Sequence, residues 1–245
     1  MFGLDDWVAQ FSDGATLLLV MGVAVVLGLR HATDPDHLAA VTTLIASGRE
    51  RTRNAAAKLG LVWGLGHATT LFAFGLPIVL FKAYLPERVQ QGAEASVGVM
   101  IVALAVWMLL RWRRGVFDVH RHEHRHGPVS HAHAHGHREA HPARTRTPVQ
   151  AYGIGLVHGM GGSAGVGILL LAAIHNRGVA VAALALFALF TAVSMALVST
   201  GFGVSLSASP IRRSFARLAP ALGATSLMFG VWYALGALAI APYYL

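Results

Sequence analysis

Apolar runs, each long enough to cross ~30 Å of hydrocarbon as a helix, follow one another at about residues 15–34, 56–81, 92–111, 150–174, 178–203 and 217–241. In lipid the backbone N–H and C=O groups must be satisfied within the protein, so such runs form transmembrane helices. The expected fold class is an all-α polytopic membrane protein with about six transmembrane helices. Composition agrees: 12% of the 245 residues are charged, against about 25% in a typical soluble domain. The basic residues lie between the runs. Arg49, Arg51, Arg53 and Lys58 follow the first, Arg111, Arg113 and Arg114 the third, and Arg212, Arg213 and Arg217 the fifth, whereas the fourth is followed only by Arg177. This alternation predicts both termini outside and the long loop after the third run in the cytoplasm. The net charge of +8 is then loop charge on a membrane protein, with a lipid bilayer and no nucleic acid as partner. The N-terminus carries Asp5, Asp6 and Asp13 and lacks the basic segment of a cleavable signal. The chain has no cysteine, which excludes disulfides, thiolate metal sites and Cys nucleophiles.

The first run ends in Gly28-Leu29-Arg30-His31-Ala32-Thr33-Asp34-Pro35-Asp36-His37-Leu38. Each charge at mid-bilayer costs roughly 2.5–3.5 kcal/mol on insertion scales, so Arg30, Asp34 and Asp36 together need a reason. His31, Asp34, Asp36 and His37 offer imidazole and carboxylate, donors that suit divalent Ni, Co, Cu and Zn. Pro35 cannot donate to the carbonyl of His31, and a straight helix over 15–46 would be too long for a bilayer. A broken or re-entrant helix is expected, with His31, Asp36 and His37 converging at the break. Irregular backbone at that depth must be buried in protein or line a wet cavity. The plainer readings are an internal ion pair of Asp34 with Arg30, four residues back, and buried histidines that hydrogen-bond the bundle.

Two further intramembrane histidines stand among small residues. His67 lies in Trp63-Gly64-Leu65-Gly66-His67-Ala68-Thr69-Thr70, where small residues permit close helix approach. Thr69 and Thr70 either line a path or bond their own helix backbone. His158 lies in His158-Gly159-Met160-Gly161-Gly162-Ser163-Ala164-Gly165, where Met160 adds a soft sulfur. Gly161 to Gly165 also fits G-x-S-x-G, but that pattern works at a strand-turn-helix elbow and here sits in an apolar, helix-like run. Gly28-Leu29-Arg30-His31 recurs as Gly155-Leu156-Val157-His158, which suggests two halves of three spans related as an inverted repeat.

The chain then divides into a first transmembrane half over 1–114, a loop over 115–149 and a second half over 150–245. The loop holds His120, His122, His124, His126, His131, His133, His135, His137 and His141. Its composition cannot form an apolar core, so the segment is expected to be disordered without a ligand and to serve as an auxiliary metal binder. The alternative is a linker that titrates near neutral pH.

Residues 30–41 resemble the signature of the nickel/cobalt transporter superfamily (NiCoT and NicO branches), an H-x4-D-H motif matched by His31, Asp36 and His37. Leu65-Gly66-His67-Ala68-Thr69 is similar to the family's second motif. The Asp34-Pro35-Asp36-His37 form and Gly155-Leu156-Val157-His158-Gly159 resemble its shorter, urease-accessory-like membrane branch, in which a His-rich loop is common. The resemblance implies an inner-membrane permease for Ni2+ or Co2+, most simply for uptake. Its metal residues would be His31, Asp36, His37 and His67, with Asp34 and His158 as further candidates. No cofactor beyond the transported ion is implied, and any oligomeric or accessory partner is left open. The larger relatives have eight spans and acidic later motifs, which this chain lacks. Efflux, an intramembrane hydrolase with Ser163 as nucleophile, and a membrane metal sensor or chaperone are the competing readings.

Overall fold

The structure, a computed structural model, describes residues 4–46, 53–82, 86–117, 119–126, 129–136, 147–161 and 165–242. Among the described residues eight helices and one hairpin follow in order: α1 (Leu4–His31), α2 (Pro35–Ala46), α3 (Arg53–Phe81), α4 (Glu87–Arg113), β1 (Val119–His126), β2 (Val129–Gly136), α5 (Pro148–His158), α6 (Gly165–Ala172), α7 (Arg177–Ser207) and α8 (Ser209–Ala237). Four of these, α3, α4, α7 and α8, are long and apolar enough to cross a membrane, and α1 with α2 forms a fifth candidate span bent by 47°. The run expected as one span over 150–174 is instead α5 and α6, of 11 and 8 residues, each too short to cross alone. The polytopic all-α expectation holds, with broken helices at two places.

The first break has a local cause. Pro35 lacks an N–H, so the α1 ladder cannot continue past His31. The turn closes with the Thr33 amide on the Arg30 carbonyl at 2.9 Å and the Asp34 amide on the His31 carbonyl at 3.1 Å. The Asp34 carbonyl then accepts from the Leu38 amide at 3.0 Å, which makes Pro35 the first residue of a new helix, where a missing donor costs nothing. The start of α5 is also encoded. Thr147 caps it with a reciprocal capping box, Gln150 N–H to Thr147 Oγ1 at 3.2 Å and Thr147 N–H to Gln150 Oε1 at 3.1 Å. It ends at His158, followed by Gly159.

Packing places the two breaks side by side. α3 lies against α7 and α4 against α8, while α1 packs on α7 as α5 packs on α3. Close approach is set by small residues. A Cβ on Gly28 would meet the Phe187 carbonyl of α7, and one on Gly155 would meet the Trp63 carbonyl of α3; larger residues would part these helices. Buried side chains such as Trp63, Phe187, Phe215, Leu184 and Met195 fill the interior. Leu18, Leu19, Val26, Leu197 and Met228 are exposed, the outward apolar surface of a membrane bundle.

The His-rich segment differs from expectation. Residues 119–126 and 129–136 pair as an antiparallel hairpin. The physical reason is its period of two: histidine alternates with other residues, a strand pattern that composition alone hides. His137 and His141 lie outside the described residues.

Candidate metal centre

The ends of three helices meet the middle of a fourth. His31 is the last residue of α1, His158 the last of α5, Asp36 and His37 stand in the first turn of α2, and His67 sits halfway along α3. All five side chains are 3% exposed or less. His31 and His67 face each other, their Nε2 atoms 3.0 Å apart. The Asp36 carboxylate spans two partners, His37 Nδ1 at 3.1 Å from Oδ1 and His158 Nε2 at 3.2 Å from Oδ2. The ring of His37 is central, with centroids 4.6 Å from His31, 5.0 Å from His67 and 4.2 Å from His158.

These separations suit coordination. Two imidazoles bound to one ion at ~2.1 Å in neighbouring positions hold their nitrogens about 3.0–3.4 Å apart. Donor atoms of His31, His37 and His67 lie within 4.8 Å of one another, and so do those of Asp36, His37 and His158. His37 Nε2, His67 Nδ1 and His158 Nδ1 are buried without a hydrogen-bond partner. Buried polar atoms are rarely left so, and a purely structural histidine network would satisfy them. The backbone adds to the field. α1 and α5 both end at the cluster, and each helix C-terminus carries roughly −0.5 elementary charge, an arrangement known for cation sites at broken membrane helices. The positive N-terminal end of α2 is met by Asp36 in its own first turn.

Asp34 lies elsewhere. Its Oδ2 is 3.2 Å from His31 Nδ1 and its Oδ1 accepts from Arg30 Nη2 at 3.3 Å. It therefore touches the edge of His31 turned away from His67, where a carboxylate fixes a ligand's tautomer and orientation. The ion pair with Arg30 and the contact with the cluster coexist. Thr69 bonds its own helix, to the Leu65 carbonyl at 2.8 Å, while Thr70 reaches across to the Leu156 carbonyl at 2.9 Å and ties α3 to α5. Ser163 lies outside the described residues.

Sequence reasoning missed the walls. Trp63 stands over His37 and His158 at centroid distances of 6.0 and 5.4 Å, and Phe187 against His31 at 5.7 Å. Trp63 is one helical turn before His67, a spacing that places both on one face of α3 and was visible in the sequence. Phe187 carried no signal, because its place depends on how α1 packs on α7. The hydroxyl of Ser194 likewise donates to the Leu29 carbonyl at 2.5 Å, near the end of α1.

Comparison with known proteins gives the cluster its context. Residues 17–240 match the family NicO, described as High-affinity nickel-transport protein. The chain is similar to the Urease accessory protein UreH of Bacillus sp. (strain TB-90), at 29% identity over 225 residues, 90% of this chain and 92% of that protein. It is also similar to the High-affinity nickel transport protein of Cupriavidus necator, at 33% identity over 112 residues, 44% of this chain and 31% of that protein. No solved structure matches. With the match running through nearly every helix described above, the chain belongs to the NicO family of high-affinity nickel-transport proteins, permeases and not enzymes.

Proposed function

We propose that this chain is an inner-membrane permease for Ni2+ or Co2+ that works in the direction of uptake, with the ion held by His31, Asp36, His37, His67 and His158. The observation that carries this reading is the convergence of four buried imidazoles and one carboxylate at the ends of two broken helices. Buried ionisable groups at membrane depth are retained where they bind or pass a charge. Imidazole with carboxylate favours borderline transition metals over Mg2+ or Ca2+, which prefer all-oxygen sites. Asp34 takes the role of orienting His31. The transported ion is the only metal this function requires. A membrane potential negative inside favours entry of a divalent cation by ~4.6 kcal/mol per 100 mV, twice the single-charge value, so uptake needs no nucleotide.

In this reading both termini are outside and the His-rich hairpin is cytoplasmic, following the basic loops. The hairpin register sets His120 opposite His135, His122 opposite His133 and His124 opposite His131. The row of seven histidines along the sequence, from His120 to His135, would serve as an auxiliary acceptor for arriving metal. The same row would suit collection of excess metal for export, which makes efflux the second reading.

The test is flux in proteoliposomes with Ni2+, Co2+ and Zn2+ in parallel. Wild type should carry Ni2+ or Co2+ saturably, Asp36→Asn and His37→Ala should each lose more than about 90% of that flux, equivalent to ~1.4 kcal/mol or more, and a potential negative on the trans side should accelerate it. Wild-type vesicles that bind metal and carry none would overturn the permease reading.

A further inference from the structure

The five buried donors do not form a single ring around one point. They fall into two groups of three, His31–His37–His67 and Asp36–His37–His158, with only His37 in both. Each group contains a close pair besides His37, His31 with His67 at 3.0 Å and His158 with Asp36 at 3.2 Å. His37 lies between them and offers two nitrogens, Nδ1 beside Asp36 at 3.1 Å and Nε2 with no hydrogen-bond partner.

We infer that the centre holds two alternative metal positions, a nitrogen-only one on His31, His37 and His67 and a carboxylate-containing one on Asp36, His37 and His158, occupied one at a time and exchanged through His37. This inference rests on the transport reading and gives it a mechanism. Exclusivity follows from charge. Two divalent ions a few ångströms apart in a site this dry repel far more strongly than one carboxylate can offset, so an ion in either position empties the other. The positions also differ in what holds them. The first uses the end of α1, the middle of α3 and the start of α2, all in the first half of the chain. The second adds His158 from the end of α5, in the second half. A small relative movement of the two halves therefore changes the second position and spares the first. An ion that must move past a barrier needs sites it can both enter and leave, and a shared ligand lets it change partners without becoming bare.

The experiment uses Co2+ as the probe, because its visible spectrum reports the ligand set. Purified full-length protein is titrated with Co2+ as wild type and as His67→Ala, His31→Ala, His158→Ala, Asp36→Asn and His37→Ala. Two variants disarm each position, so one failing to fold leaves the other. The expected result is two distinct spectra. His158→Ala and Asp36→Asn share a nitrogen-rich one, and His67→Ala and His31→Ala share a mixed nitrogen/oxygen one. Each variant should still bind one ion at the buried centre, beside those on the His-rich segment, with affinity there within about tenfold of wild type, whereas His37→Ala should lose more than the ~10–100-fold that outer-shell partners cost. All four outer variants should lose flux while keeping binding. If the four give one common spectrum, or if removing any one of them abolishes binding, a single five-ligand site replaces the two. Wild-type flux decides separately: distinct spectra without wild-type transport would leave the two positions standing and remove the permease.

Discussion

At the scale of single residues, Asp34 and Arg30 separate two kinds of contact that look alike in the sequence. Asp34 is mostly buried and its carboxylate touches His31 Nδ1 at 3.2 Å, while the Arg30 side chain is 70% exposed. Outer-shell carboxylates on ligating histidines typically contribute 10–100-fold to metal affinity. Asp34→Asn is therefore expected to weaken Ni2+ binding by about 10–100-fold with little change in thermal stability, read by isothermal titration. Arg30→Ala removes an exposed i,i+4 pair worth less than about 1 kcal/mol and should leave Ni2+ affinity within about threefold. Equal losses in the two variants would show that the pair acts as a unit.

At the scale of elements, the site depends on helices that stop in the right place and approach closely enough. The α5–α3 contact is backbone on backbone at Gly155, where any side chain meets the Trp63 carbonyl. Gly155→Leu should push α5 outward, carrying His158 away from Asp36. Overpacking of this kind costs about 1–3 kcal/mol, so a lower melting temperature is expected together with loss of the Ni2+-induced rise in that temperature. The α1–α2 break offers a complementary test. Pro35→Ala restores a donor at the turn, and a continuous helix would carry Asp36 and His37 past His31 rather than beside it. Flux should fall at least about tenfold, equivalent to ~1.4 kcal/mol. Spin labels at positions 18 and 42, placed through cysteines in a chain that has none, should move apart as the 47° bend opens. Unchanged label distance with lost flux would assign the effect to the proline itself and not to the bend.

At the scale of the whole molecule, the two halves share part of their packing pattern. α1 on α7 corresponds to α5 on α3, α2 on α7 to α6 on α3, and α4 pairs with α8. Each half begins with a helix that breaks at a histidine, His31 in one and His158 in the other. Two helices that break near one another are the feature that inverted-repeat transporters share. The hairpin stands apart: β1 and β2 pair with each other and make no substantial contact with the described helices. Replacing residues 118–137 by a short Gly/Ser linker should keep Ni2+ flux within about twofold, as expected for a loop outside the bundle, while reducing the number of ions bound per chain at saturation. Equilibrium dialysis with radioactive Ni2+ checks the second number and proteoliposome flux the first. Loss of flux with intact binding at the bundle would instead make the hairpin part of the path.

What the sequence determined by itself is local chemistry and its periodicity. Runs of apolar residues specify membrane helices because lipid offers the backbone no partners. Pro35 specifies the break because its ring removes one donor from one ladder. The residue types His31, Asp36, His37 and His67 supply imidazole and carboxylate, the donors that suit a borderline metal. The alternation of histidine with other residues specifies the hairpin in the same local way. Which donors meet is set by helix packing. His158 is 122 residues from Asp36 and His67 is 36 from His31, and no periodicity spans such distances. Their convergence depends on how closely Gly155 lets α5 approach α3. The placing of Asp34 on the far edge of His31 follows from the turn at 32–34, and that of Phe187 as a wall from the packing of α1 on α7. A sequence states which helices end in a donor side chain; helix packing decides whether those ends face one another.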